Sequence, residues 1–252
     1  FCFDQLKLYN CDIVDFSKIK DWYEEGSYKP YSYEELIELL VYFKSRIQPW
    51  IRLNRVVRDF TDDSIVTNPK RDTSNSKIHV QRHLRNLLEQ KLKEANAECN
   101  CIRCREIKDE KFSESDIELI TRKYESSDGD EYFISYELPA RNKILGFIRL
   151  RLSEEAGLWN GRPIFRDDSL VGSAMIRELH VYGKVVQTTG DSQTDETQHT
   201  GLGTKLLIEA EKIAKENGFE KIAVISGVGV RNYYRKRGYT KMIDGEFLMK
   251  IF

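Results

Sequence analysis

Apolar residues recur at helical spacing in the first third of the chain and alternate like strands in the second half. Leu36, Leu39, Leu40, Phe43 and Ile47 fall three or four residues apart on one face and predict a helix. Ser32-Tyr-Glu-Glu35 before it has the spacing of a capping box, and Pro49 closes it. A short strand is expected over 51–57, then a second helix over 80–97 with Leu84, Leu87, Leu88 and Leu92 on one face. Between them, 59–77 is rich in Asp, Asn, Thr, Ser and Lys, the composition of a polar surface segment. From about residue 110 strands and helices alternate. The stretches 132–138 and 144–152 predict a hairpin turning at Pro139-Ala-Arg-Asn142, and a polar insertion over 153–172 leads to a third strand over 175–182. A polar loop over 183–200 precedes an amphipathic helix over 201–216, with Leu202, Leu206, Leu207, Ala210, Ile213 and Ala214 inward and Asn217-Gly218 as its stop. A buried-type strand over 221–226, a short basic helix over 230–237 and a final strand over 239–251 complete the pattern, with no internal repeat.

Composition adds a domain count and a charge map. A chain of 252 residues holds one full domain and a smaller one. Its 40 Lys and Arg balance 41 Asp and Glu, so overall charge selects no partner. Local charge does: residues 1–43 carry nine acids against four bases, and residues 44–93 carry twelve bases against five acids. No run of 18 apolar residues occurs, and Phe-Cys-Phe-Asp-Gln at the start has neither a basic nor a long apolar region, so a soluble cytoplasmic protein without a membrane partner is expected. A helix followed by a strand at 32–57 suits the last α/β unit of a larger sheet or barrel, and an N-terminal portion is expected before residue 1. The expected organisation is 1–95, a cysteine-bearing linker over 96–108, and a domain over 109–252.

Candidate chemistry concentrates at the start of the second-half helix. Gln198-His199-Thr200-Gly201-Leu202-Gly203 places backbone N–H groups at a helix N-terminus, where the macrodipole favours an anion and glycines admit a phosphate close to the backbone. A lone Gly-x-Gly is a weak signal. A dinucleotide-binding turn would set its glycines directly after a parallel strand, whereas here a long loop intervenes. In this setting the motif resembles the pyrophosphate-binding segment of the GNAT acetyltransferase superfamily.

Three segments taken together sharpen the resemblance. Ile176-Arg-Glu-Leu-His-Val-Tyr-Gly183, Gln198-His-Thr-Gly-Leu-Gly203 and Ile225-Ser-Gly-Val-Gly-Val-Arg-Asn-Tyr-Tyr-Arg-Lys-Arg-Gly-Tyr239 resemble the family of Elongator catalytic subunits, over nearly the whole chain. That resemblance implies an α/β fold: a GNAT-type mixed sheet flanked by helices, preceded by the C-terminal remnant of a radical-SAM α/β barrel. It implies that Glu178, Leu179, His180 and Val181 line acetyl-CoA, that Gln198, Gly201, Leu202 and Gly203 hold its pyrophosphate, and that Tyr234 lies near the thioester. Acyl transfer needs an oxyanion stabilised and a thiolate protonated, and a tyrosine hydroxyl serves either need. Tyr233 is the second catalytic candidate, but neighbouring helical side chains diverge by about 100°, so one of the pair is expected to face the thioester. Glu178 reads either as a general base or as a strand-end carboxylate in a satisfied pair. His180 shares its face in an extended strand, and His180 and His199 read as structural or cofactor-adjacent.

Cys99, Cys101 and Cys104 supply three thiolates within reach of one ion, and a structural zinc takes four ligands. His79, His83, Cys2 and Cys11 all stay open as the fourth. Relatives in the resembled family carry a comparable zinc site. The family's reaction further implies S-adenosylmethionine and a 4Fe-4S cluster, whose cysteine motif the family places upstream of this chain, and a carboxymethyl group built on C5 of the wobble uridine of tRNA. The expected partner is a tRNA anticodon stem-loop, held by Arg52, Arg55, Arg58, Lys77, Arg82 and Arg85, with Lys70 and Arg71 nearby. Arg231, Arg235, Lys236 and Arg237 either extend that patch or bind the 3′-phosphate of CoA. The family leaves open Elongator-type partner subunits or a self-sufficient enzyme. A protein-lysine acetyltransferase and a catalytically idle acyl-CoA or tRNA module are the competing readings, and the polar loop over 183–200 is expected to gate the cofactor pocket.

Overall fold

A computed structural model gives the fold and describes residues 2–9, 11, 13–56, 65–67, 79–108, 110–166, 168–182 and 201–252. The chain divides into two compact units, residues 3–105 and residues 106–252, the second also taking in Cys2.

The first unit runs β1 (Gln5–Lys7), β2 (Ile13–Val14), α1 (Lys18–Glu24), α2 (Tyr33–Arg46), β3 (Arg52–Arg55), β4 (Ile65–Thr67), α3 (His79–Glu94) and α4 (Ile102–Arg105). α2 starts on the expected capping box: the Glu35 N–H donates to Ser32 Oγ at 3.1 Å, and the Ser32 N–H donates to Glu35 Oε2 at 2.6 Å. Its inward face meets α3, with Ile37 and Leu40 in one cluster with Leu84 and Leu88, whereas Leu39, expected on that face, is exposed and Ile37 is buried in its stead. β1 lies parallel to β3, Leu6 opposite Leu53, and β2 pairs antiparallel with β4. α1 buries no residue, which is why apolar spacing did not announce it.

The second unit runs β5 (Glu118–Glu125), β6 (Asp130–Leu138), β7 (Lys143–Leu152), β8 (Leu158–Trp159), β9 (Arg162–Pro163), β10 (Ala174–Val181), α5 (Leu202–Glu216), β11 (Lys221–Ile225), α6 (Arg231–Arg235), β12 (Lys241–Ile243) and β13 (Phe247–Ile251). Seven strands form one sheet in the order β12-β13-β11-β10-β7-β6-β5. Every pair is antiparallel except β10 with β11. α5 is the crossover that parallel neighbours require. Leu206, Leu207, Ala210, Ile213 and Ala214 of α5 pack on Ile134, Ile148, Leu150, Ile176, Ile222 and Val224 of the sheet. Alternation sends Phe133, Phe147 and Arg149 to the opposite face, where all three are buried.

Three expectations need correction. The final stretch over 239–251 is two strands, because Asp244 and Gly245 take φ of 48° and 72° and turn the chain between β12 and β13. The insertion over 153–172 contains the small β8–β9 hairpin. β5 is an added edge strand whose alternating side chains are half-buried at best, too polar a pattern to stand out.

Candidate functional site

The sheet opens between its two parallel strands. β10 pairs with β11 only from Ala174 opposite Ile222 to Ile176 opposite Val224. On its other side β10 stays on β7 as far as Val181 opposite Gly146, past an irregularity between Ile176 and Glu178. β11 likewise stays on β13, with Ile225 opposite Phe247 and the Ser226 N–H on the Glu246 carbonyl at 3.1 Å. The two strands therefore splay, and among the described residues the β11-facing backbone edge of 178–181 has no strand partner. Such an edge can hydrogen-bond an extended ligand rich in amides, as an added strand would.

The N-terminus of α5 stands beside this opening. Gly201 is its N-cap with φ 103°, a left-handed conformation that favours glycine, and among the described residues no side chain caps the helix. The first-turn N–H groups are therefore available to an anion. Gly203, within the first turn, has a different reason to be glycine: a Cβ there would lie 2.9 Å from the Tyr233 hydroxyl and 3.6 Å from Val181 Cγ2. Leu202 turns its side chain into a buried cluster with Ile107, Leu138 and Leu145, so only its backbone can serve a ligand.

α6 presents the two tyrosines in different directions. Tyr234 is buried in the main core, its ring edge-on to Tyr239 at 5.8 Å and to Tyr233 at 5.2 Å. Burial pushes its hydroxyl up to about 12, with the Tyr233 side chain adding to the shift and Arg237 opposing it. Tyr239 donates to Glu211 at 3.0 Å, and Lys250 holds the other Glu211 oxygen at 2.6 Å. Tyr233 is partly buried, with the Arg237 guanidinium 3.6 Å above its ring. Arg237 also donates to Thr204 Oγ1 at 3.0 and 2.6 Å, which ties α6 to the first turn of α5.

Leu179 and Val181 pack toward the core under α5, while Glu178 and His180 point to the opposite face. There the Arg149 Nε donates to Glu178 Oε2 at 2.9 Å, with Arg149 1% exposed and Glu178 31% exposed. His180 is exposed, stacked on Phe147 at 6.0 Å and tilted against Tyr182 at 4.4 Å. Glu178 is thus the partner of a buried cation, and a role as proton acceptor would have to break or share that pair.

In the first unit Cys99, Cys101 and Cys104 bring their sulfurs within 4.8 Å of one another, two of them buried. Hydrogen bonds from the Cys104 and Cys99 thiols, helped by backbone N–H groups of Cys104 and Leu53, hold the Cys101 thiol well below its usual range. The same sharing pushes Cys99 up. The buried Lys44 ammonium lies 3.8 Å from Cys104 Sγ. This is a donor set for a thiophilic ion, and the cluster can hold a metal. Of the expected cationic residues, Arg52 is half-buried on β3, Arg55 is exposed, and Arg85 reaches Glu89 at 4.0 Å on α3. Arg58, Lys70, Arg71, Lys77, the side chains of His79, Arg82 and His83, and the whole stretch over 183–200 with Gln198 and His199 lie outside the described residues.

Comparison with known families matches residues 101–239 to the Acetyltransferase (GNAT) family, more than half of the chain. The chain belongs to the GNAT family. Residues 3–86 match the Radical_SAM C-terminal domain. The tRNA uridine(34) acetyltransferase of Methanocaldococcus jannaschii is 36% identical over 246 residues, 95% of this chain and 42% of that protein. Elongator complex protein 3 of Homo sapiens is 37% identical over 253 residues, 98% of this chain and 43% of that protein. The chain thus spans about two fifths of the length of these curated relatives. A solved structure of the archaeal Methanocaldococcus infernus Elp3 with an N-terminal deletion superposes with a TM-score of 0.78 at 33% identity, covering 99% of this chain and 55% of that one.

As a GNAT unit, residues 106–252 bring Gly201, Gly203, Tyr233, Val181 and Leu179 to one side of the splayed strands, and Glu178 and His180 to the other. Sequence reasoning missed Arg149 and Thr204 as parts of this site, and it offered Arg237 for the cationic patch or the CoA 3′-phosphate rather than for its contact with Tyr233 and Thr204. An arginine inside the apolar run 144–152 was the available signal for the first, since a buried cation requires a partner. Among the described residues no helix is long and apolar enough to cross a membrane.

Proposed function

We propose that the 106–252 unit binds acetyl-CoA in the opening between β10 and β11 and serves an enzyme that modifies uridine 34 of tRNA. The observation that carries this reading is the early end of the β10–β11 ladder at Ile176 opposite Val224, beside the N-terminus of α5 with Gly201 at its N-cap. The free edge of 178–181 suits the amides of a pantetheine arm, and the first-turn N–H groups of α5 suit a diphosphate. When bound, acetyl-CoA supplies an activated two-carbon acyl group. Tyr234 carries its proton at neutral pH as tyrosines do, with burial pushing its hydroxyl further up to about 12, and can donate to a departing thiolate. Arg149 keeps Glu178 oriented on the acceptor face of the strand.

The names of the relatives support the choice of acceptor, as does the match of residues 3–86 to the C-terminal domain of radical-SAM proteins. S-adenosylmethionine and a 4Fe-4S cluster belong, on this reading, to the remainder of the enzyme. Exposed Arg55 and its cationic neighbours would meet tRNA phosphates, whose contribution falls with salt. Cys99, Cys101 and Cys104 would hold a structural zinc, with a fourth ligand completing the tetrahedron. A cytoplasmic location and Elongator-type subunits are parts of the same proposal.

The test is acetyl-CoA hydrolysis by the full-length protein with and without tRNA at low and moderate salt. Turnover that requires tRNA and weakens as salt rises is expected. Turnover indifferent to RNA but stimulated by a lysine peptide would replace this reading with that of a protein acetyltransferase.

A further inference from the structure

Adjacent residues on α6 solve different problems. The Tyr233 hydroxyl is buried and among the described residues has no hydrogen-bond partner, whereas a buried hydroxyl ordinarily has one. It is not a side chain free to turn away. Arg237 lies 3.6 Å over its ring and donates to the Tyr233 carbonyl at 2.7 Å, and the same guanidinium grips Thr204 of α5 through two of its nitrogens. The ring is therefore clamped with its hydroxyl against Gly203, 2.9 Å from where a Cβ would stand, at the end of α5 that carries partial positive charge. A hydroxyl held there by design needs an acceptor, and that end of a helix selects an anionic one.

We infer that the Tyr233 hydroxyl donates a hydrogen bond to the diphosphate of the bound acyl-CoA, positioned for it by the Arg237–Thr204 clamp. The two tyrosines then divide the work: Tyr233 grips the cofactor away from the reacting atoms, and Tyr234 faces the chemistry. This assignment rests on the reading of the unit as an acetyl-CoA site. It places the anion contact on a side chain as well as on the backbone of the Gly-x-Gly turn, and it gives a reason for glycine at position 203, where a Cβ would press on the Tyr233 hydroxyl at 2.9 Å.

The experiment compares full-length wild-type protein, Tyr233→Phe and Arg237→Lys by calorimetric titration with acetyl-CoA and with acetyl-pantetheine, which lacks both phosphate groups of the diphosphate. Loss of a hydrogen bond to a charged group weakens acetyl-CoA binding about ten-fold or more in Tyr233→Phe. Acetyl-pantetheine binding should be unchanged, and KM for acetyl-CoA should rise with kcat held. Arg237→Lys keeps the charge and loses the stacked clamp, so it should weaken acetyl-CoA binding by a smaller factor in the same direction. The unliganded Tyr233→Phe protein should melt no lower than wild type, since an orphaned hydroxyl has gone. Equal losses on both ligands, an unchanged acetyl-CoA affinity, or a lower melting temperature would each overturn the assignment. Wild-type protein that binds neither ligand would remove the acetyl-CoA reading itself, a result distinct from the others.

Discussion

As the proton donor proposed above, Tyr234 has to keep its proton until the thiolate departs and still be able to give it up. Burial raises its hydroxyl to about 12, which suits a donor at neutral pH, and Tyr234→Phe keeps the ring packing on Tyr239. Removing the hydroxyl is expected to lower kcat roughly a hundredfold while leaving KM for acetyl-CoA near its wild-type value, measured by steady-state kinetics. The same residue makes stability depend on pH. A tyrosine in the unfolded chain ionises near about 10, whereas folded Tyr234 keeps its proton to about 12, and Tyr239 is shifted upward too, first by burial and then by Glu211. The folded state then holds protons that the unfolded state has released. This contribution is complete below about pH 10 and is lost as pH rises toward 12. Urea unfolding across that window should show a shallower alkaline loss for Tyr234→Phe; an identical slope would mean that the hydroxyl ionises alike in both states.

At the scale of elements, the contact between α5 and α6 decides what Gly203 can become. Alanine in a helix normally gains about 1 kcal/mol over glycine, but here its Cβ would meet the clamped Tyr233 hydroxyl at 2.9 Å. Overpacking of that kind costs about 1–3 kcal/mol, so Gly203→Ala should destabilise the wild-type protein. Without the hydroxyl the nearest remaining Tyr233 atom is 3.8 Å away, an ordinary contact. The sign should therefore reverse in a Tyr233→Phe background, and chemical denaturation of the four variants measures it. Elements with strong periodicity were readable in advance: the α2 stripe with its capping box, the β6–β7 hairpin and the inward face of α5. The break between β12 and β13 was also written in the sequence, as Asp244-Gly245, but the apolar residues on both sides masked it. The splay of β10 from β11 and the Arg237 clamp were not readable, because both depend on which strand or helix lies alongside. The sequence could pick out the Tyr pair and the glycines; only packing separates the surroundings of Tyr233 from those of Tyr234.

At the scale of the whole molecule, each unit carries its own candidate ligand site: the thiol cluster in residues 3–105 and the splayed strands in residues 106–252. A ligand that binds only the folded state stabilises the segment that closes around it, by about 2.7 kcal/mol at a hundredfold excess over Kd. The cysteines sit between well-packed neighbours, since Cys99 and Cys101 share a cluster with Ile51, Leu53 and Leu92. Losing an ion there should loosen β3 and the end of α3, and the buried Lys44 beside Cys104 would lose the anionic partner that justifies its burial. Hydrogen exchange resolved by peptide should therefore show a chelator lowering protection in 47–55 and 84–105, with 106–252 little changed. Acetyl-CoA should raise protection at 176–181 and 201–207 and leave the cysteine segment as it was. Elemental analysis of the purified protein supplies the stoichiometry, expected as one zinc per chain. Protection in 84–105 that ignores the chelator, in a protein without zinc, would make the three cysteines a thiol cluster held by packing alone.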